Sequence, residues 1–177
     1  MRQKGLQRPL GIHQRRYLGN KRQLLDFIHE VVTEQVGEVS SIADLFAGTG
    51  VVGHSFNKPG VKIIANELLY ANYCSLDAFL GAGALDPQEY VERLRELNDC
   101  SADKDSYLVK AYGDRYFGLR DAAKMGAIRE RIKTMNVEGR MRSALIASLL
   151  YSADRIANTC GHYDAFRSKT PDDNLFH

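Results

Sequence analysis

The stretch best equipped for chemistry sets an acid, an aromatic and two glycines at tight spacing, Asp44-x-Phe46-x-Gly48-x-Gly50. Gly48 and Gly50 permit a sharp turn and close approach of a ligand to bare backbone. With Gly53 they spell G-x-G-x-x-G, a nucleotide pattern that is weak on its own. Asp44 narrows the choice. A carboxylate aimed at that turn repels a pyrophosphate but suits a cation. A second apolar run at 61–65 ends in Asn66-Glu67. An acid at such a strand end is placed to accept hydrogen bonds from ribose hydroxyls. The ligand implied has a sugar and a positive charge but no phosphate. S-adenosyl-L-methionine, with its ammonium and sulfonium, fits better than NAD. The alternative is an ordinary α/β unit with a helix-capping acid.

The elements that must position these groups follow from periodicity. Ile42, Leu45 and Phe46 predict a short buried strand over 41–46 that runs into the glycine turn and opens a helix. Upstream, Leu24, Ile28, Val31, Val32 and Val36 recur at helical spacing, Gly37 stops the run, and Asn20 is a candidate cap. A helix start carrying Gly19 and Lys21 is an anion receptor apt for a small carboxylate. Downstream, the spacing predicts helices over 68–80, from Asp86-Pro87 to about 97, over 119–135 and over 140–158. Residues 107–111 read as a short strand. Gly113-Asp114 reads as a surface turn.

At 177 residues the chain is sized for one domain with a substantial core. Its composition is that of an ordinary soluble globular protein. Its longest apolar run is far too short for a membrane span. Cys74, Cys100 and Cys160 are odd in number and lack a C-x-x-C, so neither a disulfide frame nor a metal site is indicated, and a cytoplasmic location is the simple reading. Charge is unevenly placed. Residues 1–22 hold Arg2, Lys4, Arg8, Arg15, Arg16, Lys21 and Arg22 and no acid, against a whole-chain charge of +2. Such an arm can contact a nucleic-acid backbone through Arg15, Arg16 and Arg22, or serve as a solvated terminus. The run 157–166 offers Asn158, Thr159, His162 and Tyr163, side chains able to stack on a displaced base or bond its edge. A helix end with aromatics packed nearby explains each of them singly.

Tyr17-Leu18-Gly19-Asn20-Lys21, followed by Asp44-Leu45-Phe46-Ala47-Gly48-Thr49-Gly50, resembles the N6-adenine-specific DNA methyltransferases related to the Dam methylase. The resemblance implies that Tyr17 and Lys21 meet the methionyl end of the cofactor and Glu67 its ribose. Members often carry Asp at that last position. It continues through Arg115-Tyr116-Phe117, through Ile128 to Ile132, and through the Asn-Thr-x-Gly-x-Tyr-x-Ala-Phe run at 158–166, and so covers residues 15–167.

The resemblance implies a partial Rossmann-like class I methyltransferase fold, α/β, with about three strands and flanking helices. The expected parts are a basic arm at 1–22 that begins the cofactor motif, an S-adenosylmethionine-binding α/β part at 15–110, and a helical part at 111–177 leading to DNA and the target base. One family feature is absent. Pro9, Pro59, Pro87 and Pro171 are the only prolines and none are adjacent, so the Asp/Asn-Pro-Pro-Tyr/Phe catalytic motif is missing. No catalytic residue is assigned, and no metal site. The chain is therefore expected to be the N-terminal part of such an enzyme, either one polypeptide of a split methylase or a truncated product. The expected partners are double-stranded DNA and a second polypeptide bearing the Pro-Pro-Tyr motif, joined through an interface above about 2,000 Å². No membrane is expected. Two other classes stay open: a methyltransferase of RNA or a small molecule, and a non-enzymatic nucleic-acid module on a methylase-like fold.

Overall fold

The computed structural model describes residues 11, 12, 19, 21–160 and 163–173. A short 3-10 turn, Lys21–Leu24, leads into helix α1, Leu25–Gln35. Gly37 ends it at φ 80°, its N–H donating to the carbonyl oxygens of Val32 and Thr33 at 3.2 and 3.0 Å. This is the left-handed stop that glycine makes cheaply. Strand β1, Ser41–Asp44, then pairs in parallel with β2, Lys62–Ala65, in the register Ser41 to Lys62 and Asp44 to Ala65. Helix α2, Val51–Ser55, is the crossover between them.

The other helices are α3 (Tyr70–Leu80), α4 (Pro87–Asn98), α5 (Tyr107–Tyr112), α6 (Leu119–Thr134) and α7 (Gly139–Ile156). α4 starts as its sequence dictates: Asp86 Oδ1 accepts the N–H groups of Gln88 and Glu89 at 2.8 and 3.4 Å, with Pro87 behind it. α6 buries a stripe of Ala122, Ala123, Ile128 and Ile132, while Leu119 is exposed.

The core lies among the helices. Leu97, Ile128, Ile132, Met135, Val137 and Leu145 form one cluster, with Tyr90, Leu94 and Leu149 packed against it. Phe117, Ala122, Met125 and Ala157 form a second. α3 is laid along α7, and Arg140 pins them by donating to the Ala78 and Gly83 carbonyl oxygens at 2.9–3.2 Å. The three cysteines are free thiols. Among the described residues no helix is long and apolar enough to cross a membrane, and no cluster of three metal-ligating side chains occurs.

Two expectations are corrected. Residues 107–111 are helical, not a strand, because Ser106 caps the segment by accepting the Val109 N–H at 3.4 Å; the described residues therefore hold a two-stranded sheet where about three strands were expected. The 41–46 strand is not buried. It ends at Asp44, alternates between exposed and half-buried, and leaves Leu45 and Phe46 61% and 81% exposed. Among the described residues the strand has one neighbouring strand and packs with α2, and Leu45 and Phe46 lie beyond that cover.

Candidate methyl-donor site

The carboxyl ends of β1 and β2 open into a cavity of about 430 Å³. That volume lies within the ordinary range for small-molecule sites. One wall is the glycine turn, Leu45 to Thr49, continuing into Val51 and Val52 of α2; the opposite wall is Asn66, Glu67 and Leu68 after β2; Gly19 and Lys21 close the third side. Backbone pairing outlasts the strands and holds the two main walls together. Asn66 N–H donates to Asp44 O at 2.9 Å, Ala47 N–H to Asn66 O at 3.0 Å, and Asn66 Nδ2 to Leu45 O at 3.0 Å.

Of the residues expected at a cofactor, Gly19, Lys21, Phe46, Gly48 and Glu67 come together around this cavity. Gly48 makes the turn at φ 53°. Glu67 is oriented by the Leu69 N–H, which donates to its Oε1 at 3.0 Å. Asp44 is the last residue of β1, directly before the cavity wall that starts at Leu45, and its Oδ2 is buried with no hydrogen-bond partner among the described residues. A buried carboxylate oxygen left alone is costly, and a cation or donor at this strand end relieves that cost. Gly50 is placed differently. It does not line the cavity; at φ 83° it caps α2, and a Cβ there would come 2.4 Å from Leu76 Cδ2 and 3.0 Å from Ile12 Cδ1. Packing accounts for this glycine. Tyr17 and Asn20 lie outside the described residues.

Sequence reasoning passed over Leu68 and Asn66. Leu68 is 94% exposed and supplies an apolar lip to the cavity. Its signal was an apolar side chain directly after the ribose-position acid.

The residues expected to meet DNA or a target base divide. Arg22 is exposed on the 3-10 turn, and Arg15, Arg16 and His162 lie outside the described residues. Asn158 ties the segment after α7 to the rest of the helical part. Its Nδ2 faces the carbonyl oxygens of Arg115, Arg167 and Lys169 at 3.0, 3.2 and 2.8 Å, and its N–H donates to Tyr116 O at 2.8 Å. Thr159 is fully buried and bridges to Phe166. Tyr163, 38% exposed, stacks on Tyr116 with ring centroids 5.9 Å apart, lies 6.4 Å from the Phe117 ring and donates its hydroxyl to Asp154 Oδ1 at 2.9 Å. Tyr163, Phe166 and Tyr116 thus form an aromatic group on a braced loop. Gly113-Asp114 is the expected turn, with Asp114 at φ 58°.

Comparison with known proteins gives one family. The model of the D12 class N6 adenine-specific DNA methyltransferases matches residues 17–176. The modification methylase LlaI of Lactococcus lactis subsp. lactis is 32% identical over 168 residues, covering 85% of this chain and 27% of that protein. The type II methyltransferase M.NlaIII of Neisseria lactamica is 30% identical over 161 residues, covering 85% and 48%. M.CviAII of Paramecium bursaria Chlorella virus 1 is 29% identical over 160 residues, covering 86% and 49%. The chain thus spans about half or less of the length of these relatives. No solved structure matches it significantly.

Proposed function

The chain belongs to the D12 class of N6 adenine-specific DNA methyltransferases, and from that premise we propose that residues 1–177 are the S-adenosylmethionine-binding part of a site-specific enzyme whose catalytic motif lies outside these residues, on further chain or on a second polypeptide. The observation that carries this reading is the convergence of Lys21, Gly48 and Glu67 on one cavity, with the partnerless Asp44 oxygen at the end of β1. Lys21 would take the methionyl carboxylate, Asp44 the positive charge, Gly48 the close backbone approach and Glu67 the ribose. Phe46 and Leu68 offer apolar surface for the rest of the ligand. When bound, the cofactor supplies an electrophilic methyl group on sulfur.

What this chain contributes is binding and orientation. The exocyclic amine of adenine is a poor nucleophile because its lone pair is delocalised into the ring, so transfer needs oriented acceptors. Residues 1–177 contain no Pro-Pro-Tyr to supply them. The uncovered sheet supports a completing partner: Phe46, Ile64 and Leu68 are exposed, and β1 is paired on one side only. A hydrophobic strand with an open edge is a template for another strand. Double-stranded DNA is the proposed substrate, held by Arg15, Arg16 and Arg22 and by the loop bearing Tyr163. Asn158 and Thr159 would act there by bracing that loop.

The test is titration calorimetry and a methylation assay. Glu67→Ala should cost roughly 1–3 kcal/mol of S-adenosylmethionine affinity, and adenine methylation should need the polypeptide with the Pro-Pro-Tyr motif. Equal binding by the variant, preferential binding of NAD, or methyl transfer by the single chain would each defeat the part of the reading it addresses.

A further inference from the structure

We infer that Tyr151 is a positioning residue for the cofactor cavity, acting through Ile12. The inference rests on the reading of that cavity as the S-adenosylmethionine site. Tyr151 lies on α7, in the helical half, and is 2% exposed; Ile12, from the N-terminal arm, is also 2% exposed. The Tyr151 hydroxyl donates to the Ile12 carbonyl oxygen at 2.9 Å, a buried bond. The Tyr151 ring is itself held by Phe79 of α3, with centroids 5.6 Å apart.

Ile12 transmits this anchorage to the glycine turn. Its Cδ1 and the Leu76 side chain lie against the bare face of Gly50, where a Cβ would meet them at 3.0 and 2.4 Å. Gly50 opens α2, and Val51 and Val52 after it line the cavity, as does Gly48 before it. One hydroxyl therefore fixes, through Ile12, the seat of the glycine turn. Its loss would leave a buried carbonyl oxygen without this donor.

Tyr151→Phe removes the hydroxyl and keeps the ring, so the packing on Phe79 survives. Hydrogen exchange on the full chain is the first measurement. The amides of Gly50, bonded to Ala47 O at 2.7 Å, and His54, bonded to Gly50 O at 2.9 Å, should exchange about three to ten times faster in the variant, with α6 unchanged. Exchange that does not change, or rises equally in α6, overturns the inference. The second measurement is calorimetry with S-adenosylhomocysteine. Tyr151→Phe should weaken binding about three- to tenfold. Affinity in the variant equal to that of a wild type that binds overturns the inference. Faster exchange at Gly50 in a wild type that binds no S-adenosylhomocysteine would instead overturn the reading of the cavity.

Discussion

Between α4 and α7, Leu97, Ile128, Ile132 and Leu145 are each at most 3% exposed, whereas no residue of α1, β1 or β2 is buried. Both regions carry apolar side chains at regular spacing. Helices α4, α6 and α7 have one another as partners for their stripes, and six side chains close a cluster. The sheet region spends Phe27, Val36, Leu45, Phe46 and Ile64 on the surface. Amphipathic patterning specifies a face to bury, and burial happens only where a second face exists to meet it. The half that would bind the cofactor is the half that lacks its own cover.

The comparison breaks most directly under truncation. Leu145→Ala, at a fully buried site, should cost about 2–5 kcal/mol in urea unfolding. Ile64→Ala, at a site 45% exposed, should cost about 1 kcal/mol or less in the isolated chain. Equal costs would show that the sheet is covered after all. A larger penalty for Ile64→Ala once the completing polypeptide is added would sharpen the contrast into an interface.

Gly50 tests the seam between the regions. Gly50→Ala meets both a left-handed φ of 83° and the Leu76 side chain. It should destabilise by about 1–3 kcal/mol in thermal unfolding. Gly37→Ala meets the φ of 80° alone, with open space around it, and should cost about 1 kcal/mol. A Gly50 variant no worse than the Gly37 variant would remove packing as the reason for this glycine.

These contrasts explain what could be read from residues and what could not. The start of α4 was legible because Asp86, Pro87 and Glu89 act within one turn. The α6 stripe was legible because its period is local. That Lys21, Gly48 and Glu67 share one cavity was legible because each stands at the end of a strand or the start of a helix read from local pattern. Residues 107–111 were misread because Tyr-Leu-Val-Lys-Ala suits a strand, and the deciding cap is the single hydroxyl of Ser106. Gly50 was ambiguous because ligand approach and packing both require a glycine. Asn158 was read as a side chain able to bond a base edge; its bonds to the Arg115, Arg167 and Lys169 carbonyl oxygens could not be read, because they depend on chain brought in from two other places.

The smallest expected effect lies on the surface of the helical half. The Arg131 guanidinium, bonded to Glu96 with Arg93 nearby, holds the Glu96 carboxyl below its ordinary value of 4.5. A depressed carboxylate stabilises the fold above its unfolded pKa, and that contribution is lost as pH falls through the folded value. Glu96→Gln should therefore unfold slightly earlier than wild type at neutral pH, and the two should converge below pH 4.5 in an acid titration. Both groups are partly exposed, so salt should shrink the difference. A gap that widens in acid would reverse the assignment.

The bond from Tyr151 to Ile12 also bears on how the chain is made. Its partners are 139 residues apart in sequence. At roughly 5–20 residues per second, a ribosome that has released Ile12 needs about 7–28 s more to reach Tyr151. During that interval Ile12 lacks its hydroxyl donor, and Gly50 has Leu76 of α3 laid against it but not an anchored Ile12. The glycine turn can close early, but this part of its clamp arrives only with α7. A chain stalled before α7 would carry the glycine turn without the bond that holds Ile12 on it.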